Sequence, residues 1–104
     1  MRRQFNQDLL PTSWNPRRFS KKFSPIRFGA WVKMTQEKYD VNTVAMELAG
    51  FNPGTLTRWR KGKQSRKPNY SMIVKFSECL QKQSSQKVIL EKLIIEAEQN
   101  MYEQ

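Results

Sequence analysis

Residues 53–61 contain side chains that could form hydrogen bonds with the base edges of DNA, and these side chains recur at helical spacing. At about 100° of rotation per residue, four of them fall on one side of a helix: Gly54, Thr57, Arg58 and Lys61. Small residues allow a close approach to a surface, arginine donates a fork of hydrogen bonds to guanine, and lysine reaches phosphate. We therefore expect this face to contact base pairs in the major groove of duplex DNA.

The same run contains the signals that start and stop a short helix. Asn52 is a good N-cap because its side-chain oxygen accepts from free N–H groups, and Pro53 suits the first helical position. Gly62 suits the position just past the end, where a left-handed residue closes the last carbonyls. Leu56 and Trp59 lie on the side opposite the base-contacting residues. Because so short a helix is not stable alone, we expect these two side chains to be buried against a neighbour.

Residues 49–63 resemble the helix-turn-helix of phage-repressor/Cro-type regulators. In that family a glycine ends the first helix, an apolar residue follows the turn, and a threonine–leucine pair, an aromatic and a Gly-Lys ending come next. Here these are Gly50, Phe51, Thr55-Leu56, Trp59 and Gly62-Lys63. The likeness spans roughly residues 28–82 and implies a DNA-binding transcriptional regulator with its helix-turn-helix at about 41–61. Met46 stands where the family usually has alanine, which predicts a shifted register or an extra residue in the first helix of the motif.

The charge of the chain is concentrated in two blocks. The net charge is +10 over 104 residues; residues 1–30 carry seven cations and one acid, and residues 51–70 carry six cations and no acid. Such blocks favour a polyanion-binding surface over ordinary basic surface chemistry, which is the alternative. The predicted phosphate contacts are Asn52, Thr55, Arg60, Lys63, Arg66 and Lys67 around the short helix, and Arg17, Arg18, Lys21 and Lys22 nearer the N-terminus.

Residues 1–24 are predicted to form a basic arm, in which pairs of cations alternate with aromatic residues. Three prolines in this segment or next to it prevent a long helix. This composition suits backbone binding with base stacking, or insertion into a minor groove. The alternative is that the aromatic side chains fold back as a lid on the core, since so many are seldom left in water.

The remaining sequence predicts an all-α domain of about five helices. Apolar spacing and caps place them near 25–38, 41–49, 53–61, 70–82 and 86–102. Asp40 is the expected N-cap of the second helix. The expected inward residues are Phe28, Trp31 and Val32 in the first helix, Val41, Val44, Ala45 and Leu48 in the second, and Met72, Ile73, Phe76 and Leu80 in the fourth. Residues 25–83 form the predicted helix-turn-helix domain, and residues 84–104 a C-terminal element.

The C-terminal helix has apolar residues on more than half of its circumference. A terminal helix packed on a small domain buries one stripe, so a second stripe predicts another partner. Spacings of three and four residues, as in a helix-pair seam, predict a homodimer interface formed by Leu90, Leu93, Ile94, Ala97 and Met101. The alternative is that this helix is the deepest core helix of the fold.

Several classes are excluded by residue content. The chain has no histidine and one cysteine, so it can build neither a zinc site nor an intramolecular disulfide. Cys79 is predicted to be a small buried residue. The acids are dispersed and no nucleophile–base pair is marked, so we expect no enzyme, catalytic residue, metal or cofactor. No apolar run could span a bilayer, which predicts a cytoplasmic protein.

The sequence thus predicts a cytoplasmic, nucleoid-associated regulator that binds double-stranded DNA as a two-fold dimer. Two alternatives stay open. One is an accessory subunit of a phage or mobile-element nucleoprotein complex that docks on an additional protein partner as well as on DNA. The other is a single-strand or RNA binder that works through the N-terminal arm.

Overall fold

Five α-helices make up most of the computed structural model, which describes residues 22–103. In chain order they are α1 Pro25–Tyr39, α2 Thr43–Leu48, α3 Pro53–Arg60, α4 Tyr70–Gln83 and α5 Leu90–Gln99. Within these residues there is no β-strand, only an isolated antiparallel bridge between Phe23 and Tyr102. The predicted all-α class with about five helices is confirmed.

Four of the helices begin with a polar side chain that accepts a backbone hydrogen bond. Ser24 Oγ accepts from the N–H three residues later at 3.2 Å, and Asn42, Asn52 and Asn69 accept through Oδ1 at 2.8, 2.9 and 2.8 Å. Each bond satisfies one of the N–H groups that a helix leaves unpaired in its first turn. The start of α5, at Ile89, has no such side-chain bond.

Asp40 ends α1 instead of starting α2, contrary to the prediction. Its backbone is left-handed, with φ of 57°, and its N–H donates to carbonyls in the last turn of α1. Aspartate tolerates this conformation better than most residues. Asn42 caps α2 in its place, so α2 begins at Thr43, two residues later than expected. The predicted fifth helix is also too long, because residues 86–88 precede its N-cap and Asn100 ends it.

The predicted inward face of α2 is wrong at two positions. Val44 and Leu48 are 64% and 77% exposed, whereas Met46 is completely buried. Val41, which is buried, lies before the helix and not within it, so the apolar spacing counted from Val41 gave the wrong phase. Met46 is the fully buried residue of α2, the half-buried Ala45 packs against the same core as predicted, and α2 remains a regular six-residue helix.

The centre of the core is a cluster of aromatic rings drawn from α1, α3, α4 and the turn before α3. Neighbouring ring centroids are 4.8 to 5.9 Å apart, a spacing that favours tilted and edge-to-face contacts. The five members are Phe28, Trp31, Phe51, Trp59 and Phe76, all at most 1% exposed. The predictions that α1 buries Phe28 and Trp31, that α3 buries Trp59 and that α4 buries Phe76 are confirmed.

Most of the predicted dimer seam lies inside the chain's own core. Leu93, Ile94, Ala97 and Met101 are at most 1% exposed and belong to the same apolar cluster as the aromatic rings. Leu90 is half-buried. The expectation of a free second apolar stripe on α5 is therefore wrong for those four residues, because packing within one chain already covers them.

A close contact between α1 and the end of α3 sets the position of α3. The contact occurs at Gly29, where a Cβ atom would clash with the carbonyl oxygen of Trp59. The same Cβ would lie 3.2 Å from the Arg60 carbonyl oxygen and 3.3 Å from the Gly62 nitrogen. These are backbone atoms, so they cannot rotate away as a side chain would. Residue 29 must therefore lack a side chain if the last turn of α3 is to stay in place.

We expect Gly29→Ala to lower the free energy of unfolding by about 1–3 kcal/mol, the usual cost of overpacking. Alanine gains about 1 kcal/mol over glycine in helix propensity, which the clash should exceed. Urea denaturation of both proteins measures the difference. Ala30→Ser, at the exposed neighbouring position, is the control and should change stability by less than about 0.5 kcal/mol. A stabilised Gly29→Ala protein would show that α3 can move at no cost.

Candidate nucleic-acid interface

Helix α3 presents two opposite faces. Leu56 and Trp59 are buried, which confirms the predicted inward side. The residues predicted to contact bases are all exposed to solvent: Gly54, Thr57, Arg58 and Lys61. Their order along the helix places the small residue at the N-terminal end and cations further along.

The connection from α2 to α3 is closed by backbone hydrogen bonds around Gly50. Gly50 has φ of 103°, a conformation in which a side chain would be strained. Its N–H donates to the Glu47 carbonyl at 2.9 Å, and the Phe51 N–H donates to the Met46 carbonyl at 3.0 Å. This pair of bonds closes the last turn of α2. The buried Phe51 ring then fixes where α3 begins.

The end of α3 is closed in the same way. Gly62 has φ of 69°, and its N–H donates to the Trp59 carbonyl at 3.1 Å. The Lys63 N–H donates to the Arg58 carbonyl at 3.0 Å. The predicted start at Asn52 and stop at Gly62 are both confirmed. Eight residues of helix are thus held at each end by defined hydrogen bonds, and the outward side chains project from a fixed backbone.

Arg58 lies back over the first turn of α3. Its Nη2 donates to Thr55 Oγ1 at 3.3 Å. Thr55 is half-buried, while Arg58 is exposed. No Asp or Glu occurs in residues 51–70, so this face carries positive charge without a carboxylate from its own segment.

Arg60, predicted to contact phosphate, points instead toward α1. It is half-buried, and its Nη1 donates to Gln36 Oε1 at 2.5 Å. Gln36 is buried and donates through Nε2 to the Val41 carbonyl at 3.0 Å. These two bonds link α1, the α1–α2 connection and the end of α3. Gln36 was not among the residues predicted from the sequence, although its spacing of four from Val32 and eight from Phe28 places it on the buried side of α1.

In the loop after α3, some cationic side chains are exposed to solvent and one is partly buried. Lys63 and Arg66 are exposed, as a phosphate contact requires, and so is Asn52 at the start of α3. Lys67 is half-buried; burial lowers the pKa of its ammonium group, and the Glu98 carboxylate on α5 acts in the opposite direction. The exposed cations of this region are Arg58, Lys61, Lys63 and Arg66.

The end of the predicted arm pairs with the C-terminal segment. The Ser24 N–H donates to the Met101 carbonyl at 2.7 Å, and the Glu103 N–H donates to the Lys22 carbonyl at 3.0 Å. The Phe23 ring lies 6.1 Å from the Phe28 ring. Lys22 is exposed. The other predicted arm contacts lie outside the described residues: Arg17, Arg18 and Lys21.

Residues 22–103 were compared with what a membrane span, a metal site and a reactive thiol each require. None of the helices there is both long and apolar enough to cross a bilayer. The same residues contain no group of three or more carboxylate or thiol side chains placed to hold a metal ion. Burial raises the pKa of the Cys79 thiol, which keeps it protonated near neutral pH.

Comparison of the chain with protein-family models, with curated proteins and with solved structures gave no match in any of the three.

Proposed function

We propose that this protein binds double-stranded DNA by placing α3 in the major groove. The observation that carries the proposal is the division of α3 into a buried face and a wholly exposed one with small residues and cations. An α-helix with its side chains is about 10–12 Å across, and the major groove is about 12 Å wide. The absence of acids from residues 51–70 favours a polyanion as the ligand.

We further propose that the protein is a transcriptional regulator that acts on the nucleoid in the cytoplasm. Helices α2 and α3, with the four residues between them, would form a helix-turn-helix of the kind that the sequence resembles. In such motifs the second helix enters the groove and the first crosses the backbone. Lys63 and Arg66, just beyond α3, would then meet phosphates beside the groove. A palindromic site would bind two copies of the protein. The contact between those two copies would not involve the buried residues of α5.

A second candidate is an accessory DNA-binding subunit that also docks on another protein. It is favoured by the exposure of Val44 and Leu48, which lie four residues apart on one side of α2. Two neighbouring apolar side chains on the surface are a small patch that a partner could cover.

Selection of bound sequences from a random duplex pool, with the full chain, tests the proposal. We expect a consensus that contains at least one G·C pair, because arginine donates two hydrogen bonds to guanine. Tight binding without a consensus would support the accessory subunit. Stronger binding to single-stranded DNA or RNA of the same sequences than to duplex DNA would contradict the proposal.

Arg58→Ala should weaken binding to the selected site by about 1–3 kcal/mol and reduce discrimination at one base pair. Arg58 is exposed on the outward face and has no buried role that truncation would disturb, so the fold should be unchanged. Fluorescence anisotropy on the selected duplex and on duplexes with single base-pair changes measures both effects. Lys63→Ala is the matched control: loss of one phosphate contact should weaken binding to all sequences and reduce the salt slope by about 0.9. Uniform weakening by Arg58→Ala would show that Arg58 contacts only phosphate.

A further inference from the structure

The position of the Arg58 guanidinium depends on the two residues at the start of α3. Its Nη2 donates to Thr55 Oγ1 at 3.3 Å, across one turn of the helix. Residues three apart lie on neighbouring parts of one helix face. The guanidinium is therefore drawn toward the N-terminal end of α3, where it stays exposed to solvent.

Gly54 leaves the space that this conformation needs. A Cβ atom at residue 54 would lie 3.8 Å from Arg58 Nη1 and 3.2 Å from Asn52 Oδ1. Any side chain longer than a methyl group would compete with the guanidinium for that space. The backbone of Gly54 is helical and not left-handed, so its lack of a side chain matters here for space and not for conformation.

Thr55 is itself well fixed. Its N–H donates to Asn52 Oδ1 at 2.9 Å, and its side chain is half-buried. A β-branched side chain has few χ1 rotamers in a helix, and threonine in a helix often bonds a carbonyl of the preceding turn. Here its oxygen accepts from Arg58. The bond to Thr55 thus restrains a long side chain that would otherwise sample many rotamers.

We propose that Thr55 is a positioning residue, which orients Arg58 to read a single G·C pair at the N-terminal end of α3 through guanine O6 and N7. This inference rests on the proposed function, and it replaces the predicted phosphate contact of Thr55. The guanidinium has five N–H donors, so the bond to Thr55 leaves enough of them for a bidentate contact with guanine. In helix-turn-helix complexes the N-terminal residues of the second helix are the ones that face base edges, which is where Thr55 holds the Arg58 head group.

The test compares Thr55→Val with Thr55→Ser in the full chain. Each protein is measured on two duplexes: the selected duplex, and the same duplex in which the G·C pair read by Arg58 is changed to A·T. The readout is the ratio of the affinity for the first duplex to the affinity for the second. Valine keeps the shape of threonine but removes the acceptor, so this ratio should fall by about 3- to 10-fold, the effect of one hydrogen bond. Serine keeps the acceptor, so its ratio should stay within about twofold of the parent value. Thermal melting of both variants shows whether α3 remains in place.

A double-mutant cycle separates positioning from a direct or structural role. If Thr55 acts through Arg58, then Thr55→Val should have no further effect on the ratio in an Arg58→Ala background. Equal weakening on both duplexes would overturn the inference and return Thr55 to a phosphate or structural role. The inference would also be overturned if Arg58→Ala lowered the affinity ratio to about one and Thr55→Val left it unchanged. The proposed function would then still stand. A parent chain that binds no duplex DNA overturns both.

Discussion

Replacing Leu93 with glutamate should unfold the protein and not merely separate a dimer into monomers. Leu93 is completely buried, and α5 packs along α4. Loss of a buried leucine's packing alone costs about 2–5 kcal/mol, and a carboxyl group without a partner in the core adds a desolvation cost. Small domains have a total free energy of unfolding of about 5–15 kcal/mol. We therefore expect the far-UV circular dichroism of Leu93→Glu to lose most of its helical signal.

Ile95→Glu is the matched control on the same helix. Ile95 is 38% exposed, so its charge can remain in water and the variant should keep its helical content. Sedimentation velocity of the two variants and the parent completes the comparison. A Leu93→Glu protein that stays helical and has half the mass of the parent would restore the predicted seam, and would contradict the packing of α5 described above.

The sequence predicted α3 well because every signal for it is local. Asn52, Pro53 and Gly62 fall within eleven residues, and each acts through backbone chemistry that needs no distant partner. The two faces followed from helical rotation once the start was known. The cap at Asn52 and the left-handed Gly62 both occur as expected, and so does the burial of Leu56 and Trp59.

Helix α2 was predicted less well because two adjacent signals competed. Asp40 and Asn42 are both good N-cap residues, and they are two positions apart. What decides between them is the end of α1, where Asp40 takes a left-handed conformation. A helix of six residues also has fewer than two turns, so its apolar spacing is too short to fix a phase.

The C-terminal helix was predicted poorly because one of the segments beside it lies far away in sequence. Apolar residues on more than one side of α5 suggested a second protein, but α4 packs along this helix and the start of α1 lies beside its C-terminal end. Residues 22–24 pair with residues 101–103, which brings the start of α1 beside Met101. Nothing in either segment alone indicates this pairing. It is a long-range backbone contact without a sequence signal.

Individual cations of the candidate site were also beyond prediction. Arg58 and Arg60 both belong to the last turn of α3, yet one is exposed and the other bonds to Gln36. Helical rotation separates them, but the presence of an acceptor on α1 decides that Arg60 is partly buried. Lys67 likewise lies near Glu98 of α5. The direction of a long side chain depends on what the neighbouring helix offers.

Trp59→Ala should lower the free energy of unfolding by about 3–5 kcal/mol, because it leaves a cavity at the centre of the aromatic core. The Trp59 ring lies 4.8 Å from the Phe28 ring, 5.3 Å from the Phe51 ring and 5.8 Å from the Phe76 ring. All four side chains are at most 1% exposed, so little solvent can enter to replace the lost contacts. For a domain of this size each kcal/mol corresponds to about 4–8 °C in Tm, which thermal melting resolves easily.

Trp59→Phe separates loss of volume from loss of the indole N–H. Among the described residues that N–H is buried without a hydrogen-bond acceptor, so its removal should cost nothing. Phenylalanine keeps part of the ring contacts, and this variant should therefore be destabilised much less than Trp59→Ala. Affinity for duplex DNA, measured well below the Tm of each variant, should follow the folded fraction. A Trp59→Ala protein that melts like the parent but binds DNA poorly would place Trp59 on the DNA side of α3, and would exchange the two faces on which the proposed function depends.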